Sequence, residues 1–201
     1  MDILLATTNP GKLREFAALL EGLPFTVKNP ADVGISVEVD ETGDTFEANA
    51  TQKALAWAKG SNMVCVADDS GLCVDALDGA PGVYSARWAA MHNVHGGDTD
   101  TMNRELVVNQ LANHTNRAAR YVCVAAIAWP DGRVQTARGE LEGTIIDDPR
   151  GTNGFGYDPV FVPQGYDRTA AELDAEEKNA ISHRGNALAD LKTLLLSLAD
   201  D

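Results

Sequence analysis

"VCVADDSGLCV", residues 64–74, decides how the chain is divided. Its first half is a short continuous apolar run of the kind a buried strand makes. The run then meets two adjacent carboxylates, Asp68 and Asp69, followed by Ser70 and Gly71, a combination that reads as a turn. A second apolar run, "GLCVDAL" (71–77), begins at once. The expectation is two strands, parted at a pair of like charges. Two ionised carboxylates at close range repel, so either both lie in water or a cation is held between them.

Working outward, "DILLA" (2–6) reads as a first strand and "TTNPGK" (7–12) as a turn that opens a helix. Asn9 can cap that helix, Pro10 suits its first position, and Leu13, Phe16, Ala17 and Leu20 fall on one face. "FTVKN" (25–29) predicts a second strand, and a polar acidic loop fills 30–44. Asp44 and Glu47 resemble a capping box at the start of a helix over 45–59, with Phe46, Ala50, Ala54 and Trp57 as its apolar face. Beyond the central stretch, "DGAPGVYSAR" (78–87) is loop-rich and 98–113 reads as a polar amphipathic helix. Residues 120–145 read as a hairpin about "PDG" (130–132). A glycine-rich loop, "DDPRGTNGFGYDPVFVP" (147–163), runs into a short strand. The tail from Ser182 is a helix with Leu188, Leu191, Leu195 and Leu198 along one side. Hairpins and intervening helices predict an α/β or α+β chain with a mixed sheet. With no repeat or linker, 1–201 reads as one domain.

Composition narrows the function classes. The 201 residues carry a formal net charge of −14, which argues against broad binding to nucleic acid or anionic membrane. A small anionic ligand needs only a local cluster of cations. The N-terminus lacks the basic and apolar regions of a signal peptide, and no run reaches the roughly 18 apolar residues of a membrane span. The three cysteines, Cys65, Cys73 and Cys123, sit in apolar runs and read as reduced thiols of a cytoplasmic protein. His92 and His95 are three apart but have no third ligand nearby in sequence, and read as part of a surface loop.

Several residues point to chemistry. Lys12 lies in the first turn of its helix, where the macrodipole disfavours a cation. An anion at that helix start would reverse the preference, with free N–H groups of "TNPGK" aimed at it. The alternative is a solvated lysine. "ISHRGNAL" repeats the oddity at the last helix, where Ser182 is a candidate cap and His183 and Arg184 occupy the first turn. Two helix starts carrying cations together imply a ligand with more than one negative charge. Asn49 and Lys53, four apart, share a helix face. For Asp68 and Asp69 the cation reading is a hard divalent ion, Mg²⁺ above all, with Glu38, Asp40, Glu41, Asp44 and Glu47 as further oxygen ligands. A polyphosphate would connect the lysines to such an ion. In "RGTNGFGYDP" the glycines allow close backbone approach, Phe155 and Tyr157 offer rings to stack on a flat ligand, and Asp158 can accept hydrogen bonds from ring N–H groups.

These motifs resemble one family. "ATTNPGKLREF", "ETGDTFEANATQKA", "ADDSGLCVDALDGAPGVYSAR", "GTNGFGYDPVFVP" and "TAAELDAEEKNAISHRGNAL" occur in the order and spacing of the inosine triphosphate pyrophosphatases, the dITP/XTP pyrophosphatases of bacteria. The resemblance covers nearly the whole chain. It implies a long mixed sheet flanked by helices, in two lobes with a central cleft. It implies Mg²⁺-dependent hydrolysis of non-standard purine nucleoside triphosphates to monophosphate and pyrophosphate, by a homodimer. Carried over by position, Thr7, Thr8, Asn9, Pro10, Gly11 and Lys12 bind the triphosphate, joined by Lys53, and Ser70 contacts the substrate. Asp69 is the general base and a metal ligand, supported by Asp68, and the resemblance selects Glu41 as the second metal carboxylate. Phe155, Gly156, Tyr157, Asp158, Lys178, His183 and Arg184 recognise the base. Arg87 is matched too, without a choice between substrate contact and ion pair. Two other readings are a related pyrophosphatase with another base preference and a non-catalytic nucleotide sensor. The paired aspartates favour an enzyme.

Overall fold

The computed structural model describes residues 2–197, without the side chains of residues 193, 194 and 197. Leu198, expected on the last helix, lies outside the described residues. The strands are β1 (Asp2–Leu5), β2 (Thr26–Lys28), β3 (Val64–Val74), β4 (Ala118–Ala128), β5 (Val134–Ile145) and β6 (Phe161–Pro163). They form one mixed sheet in the order β2-β1-β3-β4-β5-β6. The helices are α1 (Pro10–Leu19), α2 (Pro30–Val33), α3 (Phe46–Ser61), α4 (Trp88–Met91), α5 (Thr99–Gln110), α6 (Ala175–Ile181) and α7 (His183–Ser197). The expected hairpin is present as β4 and β5, with Trp129 N–H donating to the Arg133 carbonyl across the turn. No helix among the described residues is long and apolar enough to cross a membrane.

The central stretch is one strand and not two. β3 runs unbroken through Asp68, Asp69, Ser70 and Gly71 to Val74, where a single 3₁₀ turn follows. Gly71 is there for packing, since a Cβ on it would come 2.3 Å from the Gly82 carbonyl oxygen and 2.5 Å from Ser85 Oγ. The Ser85 hydroxyl accepts from Leu72 N–H at 2.9 Å, drawing that loop onto the strand. What reads as a turn signal is a close approach inside a strand.

The chain folds as two compact units, one of residues up to 69, 123–139 and from 183 onward, the other of 70–122 and 140–182. In the first, β1 pairs in parallel with both β2 (Ile3 opposite Val27) and β3 (Leu5 opposite Val66). The chain leaves β1 through α1 to reach β2, then passes through α3 to reach β3 on the other side of β1. Right-handed crossovers in opposite directions put α1 and α3 on opposite faces of the sheet. Ile3, Leu5, Val66, Phe16 of α1, and Leu188, Leu191 and Leu195 of α7 share a core on one face. Cys65 meets Ser61 of α3 on the other. Between β1 and β3 the direction of winding reverses, and the crevice beyond the ends of such strands is where α/β folds place ligands.

Local details differ from expectation. Thr45, extended at φ −132°, caps α3 by accepting from Ala48 N–H, so the cap is not Asp44. Within the acidic loop, Asn29 and Asp32 form a capping box around the short α2. Ala17 is exposed, and α1 packs through Phe16 and Leu20 with Leu13 and Leu19 partly buried. In the second unit, Leu72, Val107 and Leu111 of α5, Tyr121, Ile145, Tyr157 and Phe161 form a separate core.

Candidate active site

In the first unit, the turn after β1 brings Lys12 to the strand end. Asn9 is extended and its Oδ1 accepts from Gly11 N–H at 2.8 Å and Lys12 N–H at 3.1 Å. Asn9 N–H in turn donates to Thr7 Oγ1 at 3.2 Å. The expectation of free amides aimed at an anion is corrected for these three, because the turn's own side chains satisfy them. Thr8, Asn9 and Pro10 are exposed on it, Thr7 is half-buried and Gly11 buried. What the turn presents is the Lys12 ammonium, 2.9 Å from Asp68 Oδ2.

Because β3 is unbroken, Asp68 and Asp69 project to opposite faces. Asp68 meets Lys12 of α1 and Arg184 of α7, the latter at 3.6 Å. Asp69 faces α3, where Asn49 Nδ2 donates to its Oδ2 at 2.9 Å. Lys53, one turn further along α3, ion-pairs with Glu41 and donates to the Asp68 carbonyl oxygen at 3.0 Å. Arg184, 3% exposed, also pairs with Glu15 of α1. Gly139 admits the start of α7, since a Cβ there would lie 2.2 Å from the His183 carbonyl oxygen. His183 itself is buried, and Ser70, half-buried, follows Asp69 as the first residue of the second unit.

The two adjacent carboxyls are driven apart electrostatically. Burial pushes Asp68 up, but Lys12, Arg184 and Lys53 outweigh it and hold it down at about 2. Burial also raises Asp69, and there it prevails over the Asn49 hydrogen bond and the two lysines, with the Glu41 charge adding to the rise. Neighbouring carboxyls with diverging proton affinity mark one permanent anion and one group suited to accept a proton. Burial lowers the Arg184 value, yet the Asp68 and Glu15 carboxylates outweigh it, so the guanidinium stays charged.

Among the described residues, no three His, Cys, Asp or Glu side chains converge into a metal cage. The donor set nonetheless fits a hard cation. Glu41 and Asp69 offer only oxygens, and the repulsion between them is a charge excess that a cation would relieve, whereas Asp68, expected in support of the metal, turns to the other face of β3 and is taken by Lys12 and Arg184. Mg²⁺ commonly takes one or two carboxylates and completes its shell with water and phosphate, so no closed cage is required.

The second unit holds the other set. Asp158 accepts from Tyr121 Oη at 3.0 Å, from Phe155 N–H at 2.9 Å and from Lys178 Nζ at 2.7 Å. Its carboxylate is therefore engaged by the protein rather than open to a ring N–H. Tyr157 belongs to the core, its hydroxyl donating to the Ser85 carbonyl oxygen at 2.8 Å, and does not offer a stacking face. Phe155 is half-buried, and its ring lies 5.2 Å from Lys178 Nζ. Gly154, at φ +74°, is dictated by crowding: a Cβ would sit 2.0 Å from Asp158 Oδ2. The Gly156 peptide is gripped by α5, with N–H donating to Asp100 at 2.8 Å and the carbonyl accepting from Arg104 at 3.2 Å.

Sequence reasoning missed Glu15, Asp100 and Arg104. It placed Asn49 beside Lys53 without its partners. Arg184 and Glu15 are 169 positions apart, and no local pattern links them.

The profile of the Ham1 family matches residues 3–194. A dITP/XTP pyrophosphatase of Exiguobacterium is 47% identical over 196 residues, covering 98% of this chain and 97% of its own. One from Rhizobium meliloti is 49% identical over 198 residues, covering 92% and 91%. Among solved structures, a HAM1 protein from Coxiella burnetii matches with a TM-score of 0.86 at 41% identity, over 98% of this chain and 99% of that one.

Proposed function

This chain belongs to the Ham1 family, and on that premise we propose that it hydrolyses non-standard purine nucleoside triphosphates, dITP, ITP and XTP, to the monophosphate and pyrophosphate. The relatives named dITP/XTP pyrophosphatase match it nearly end to end. The observation that carries the chemistry is the divergence of Asp68 and Asp69, flanked by Lys12 and Lys53.

The lysines are held by carboxylates that a triphosphate can replace: Lys12 by Asp68, Lys53 by Glu41. Asp69 takes a proton from a water whose oxygen bonds to the α-phosphorus. The bond from that phosphorus to the α–β bridging oxygen breaks, and pyrophosphate leaves with its electron pair. Mg²⁺, bound by Glu41 and Asp69, would neutralise phosphate charge and acidify the water. Asp68 stays ionised and keeps Lys12 and Arg184 in place before substrate arrives. The family resemblance assigns the base to Phe155, Gly156, Lys178, His183 and Arg184, while Tyr157 and Asp158, also named by it, anchor the 154–158 loop instead. A buried donor facing O6 is left unpaired by the 6-amino group of adenine, which rejects that base strongly. A homodimer is proposed with it, on the same resemblance, and light scattering on the eluted protein tests it.

The test is pyrophosphate release with Mg²⁺ from equal concentrations of ITP, dITP, XTP, ATP, GTP, CTP and UTP, with orthophosphate read in parallel. Pyrophosphate from the first three and little from the others is the expected result. Orthophosphate alone would place the attack at the terminal phosphate and overturn the reading.

A further inference from the structure

Two side chains of α3 each join the acidic loop to β3. Lys53 reaches Glu41 in the loop and the Asp68 carbonyl in the strand. Asn49 reaches Gly43 in the loop and Asp69 in the strand, at 2.8 and 2.9 Å. The residues are one helical turn apart, so the connections form two rungs on one helix face. Asn49 is fully buried. Its orientation is settled by its partners: the Gly43 N–H only donates and must meet Oδ1, which leaves Nδ2 to face the Asp69 carboxylate. Gly43 is fitted to this contact, since a Cβ on it would lie 2.7 Å from Asn49 Oδ1 and 2.8 Å from Ala48 Cβ.

The rungs differ in what substrate does to them. Lys53 is a cation on a carboxylate, and a phosphate competes for the lysine while a metal competes for Glu41. Asn49 is neutral and competes with neither. We propose that Asn49 is a positioning residue that keeps the Glu41 loop seated and Asp69 oriented together once the Lys53–Glu41 pair has been exchanged. This rests on Asp69 as the base and Glu41 as a metal ligand. Outer partners of this kind typically control about 10- to 100-fold in metal affinity or activity.

Asn49→Ala removes both ends of the rung, whereas Gly43→Ala keeps the Asn49 side chain and strains the loop end, where the new Cβ meets Asn49 Oδ1 and Ala48 Cβ. Three quantities are read: kcat and KM for XTP, and Mn²⁺ affinity without nucleotide, by electron paramagnetic resonance. In folded Asn49→Ala, kcat is expected to fall about 10- to 100-fold at unchanged KM, with weaker Mn²⁺ binding. Gly43→Ala is expected to weaken Mn²⁺ binding with a smaller loss of kcat. Wild-type kcat and Mn²⁺ affinity in Asn49→Ala would overturn the proposal, as would losses that only track the folded fraction. Should Asn49→Ala not fold, Gly43→Ala decides: weaker Mn²⁺ binding supports the coupling and unchanged binding sinks it. A wild-type protein that releases no pyrophosphate from any purine triphosphate would instead count against the function proposed above, and the Mn²⁺ comparison would still read the coupling.

Discussion

The two charged clusters of this molecule are built on opposite plans. In the first unit, Lys12, Lys53 and Arg184 share Asp68, Glu41 and Glu15 in overlapping pairs, and two of those pairs involve a lysine that another anion can claim. In the second, Asp158 accepts from three protein donors and Gly156 is held at both its N–H and its carbonyl. Groups that meet a changing charge sit in exchangeable ion pairs. Groups that present a shape sit in a closed hydrogen-bond frame.

Three substitutions probe that contrast. Asp69→Asn removes the proposed proton acceptor from the exchangeable cluster, and pyrophosphate release is expected to fall about 10²- to 10⁴-fold with circular dichroism unchanged. Near-normal turnover would end the assignment. Asp158→Asn strikes the closed frame and leaves Lys178, 7% exposed, without its buried anion. A loss of about 3–5 kcal/mol in urea unfolding is expected. The double variant with Lys178→Met should recover much of it, and a double variant no more stable than the single would show that the pair does not hold the frame. Phe155→Leu keeps the frame and removes the stacking face. KM for XTP is expected to rise about 10-fold at unchanged kcat, the scale of one base–aromatic contact. An unchanged KM would mean that Phe155 is only packing.

The contrast also shows why one part of the site was legible and another was not. The helix start at Asn9–Pro10 and the apolar face of α3 follow local rules, and the structure has them. "DDSG" follows a local rule as well, and there the rule fails. Both carboxyls find partners far away in sequence, Asn49 for one and Lys12 and Arg184 for the other, and Gly71 admits the 82–85 loop. With those partners the strand need not break. Tyr157 misleads for a related reason: in sequence it is an aromatic beside Phe155, but its hydroxyl is claimed by Ser85, 72 positions away.

Asp68 and Asp69 allow the finest test, because neighbours on one strand should move stability in opposite directions with pH. The folded value of Asp68 lies below its ordinary one, so its contribution is fully present above about pH 4 and is lost as pH falls toward about 2. The folded value of Asp69 lies above its ordinary one. Its ionisation therefore costs stability at neutral pH, and that cost fades as pH falls through the folded value. In metal-free protein with chelator, Asp68→Asn should lower the urea midpoint at pH 7, by roughly 2 kcal/mol in free energy, and flatten its decline below pH 4. Asp69→Asn should raise the midpoint at pH 7, while turnover falls as above. That combination would mean the first unit carries its reactive carboxyl at a cost in stability. A fall in stability for both variants at pH 7 would show instead that the Asn49 hydrogen bond outweighs burial at Asp69, and the two aspartates would then be alike in kind.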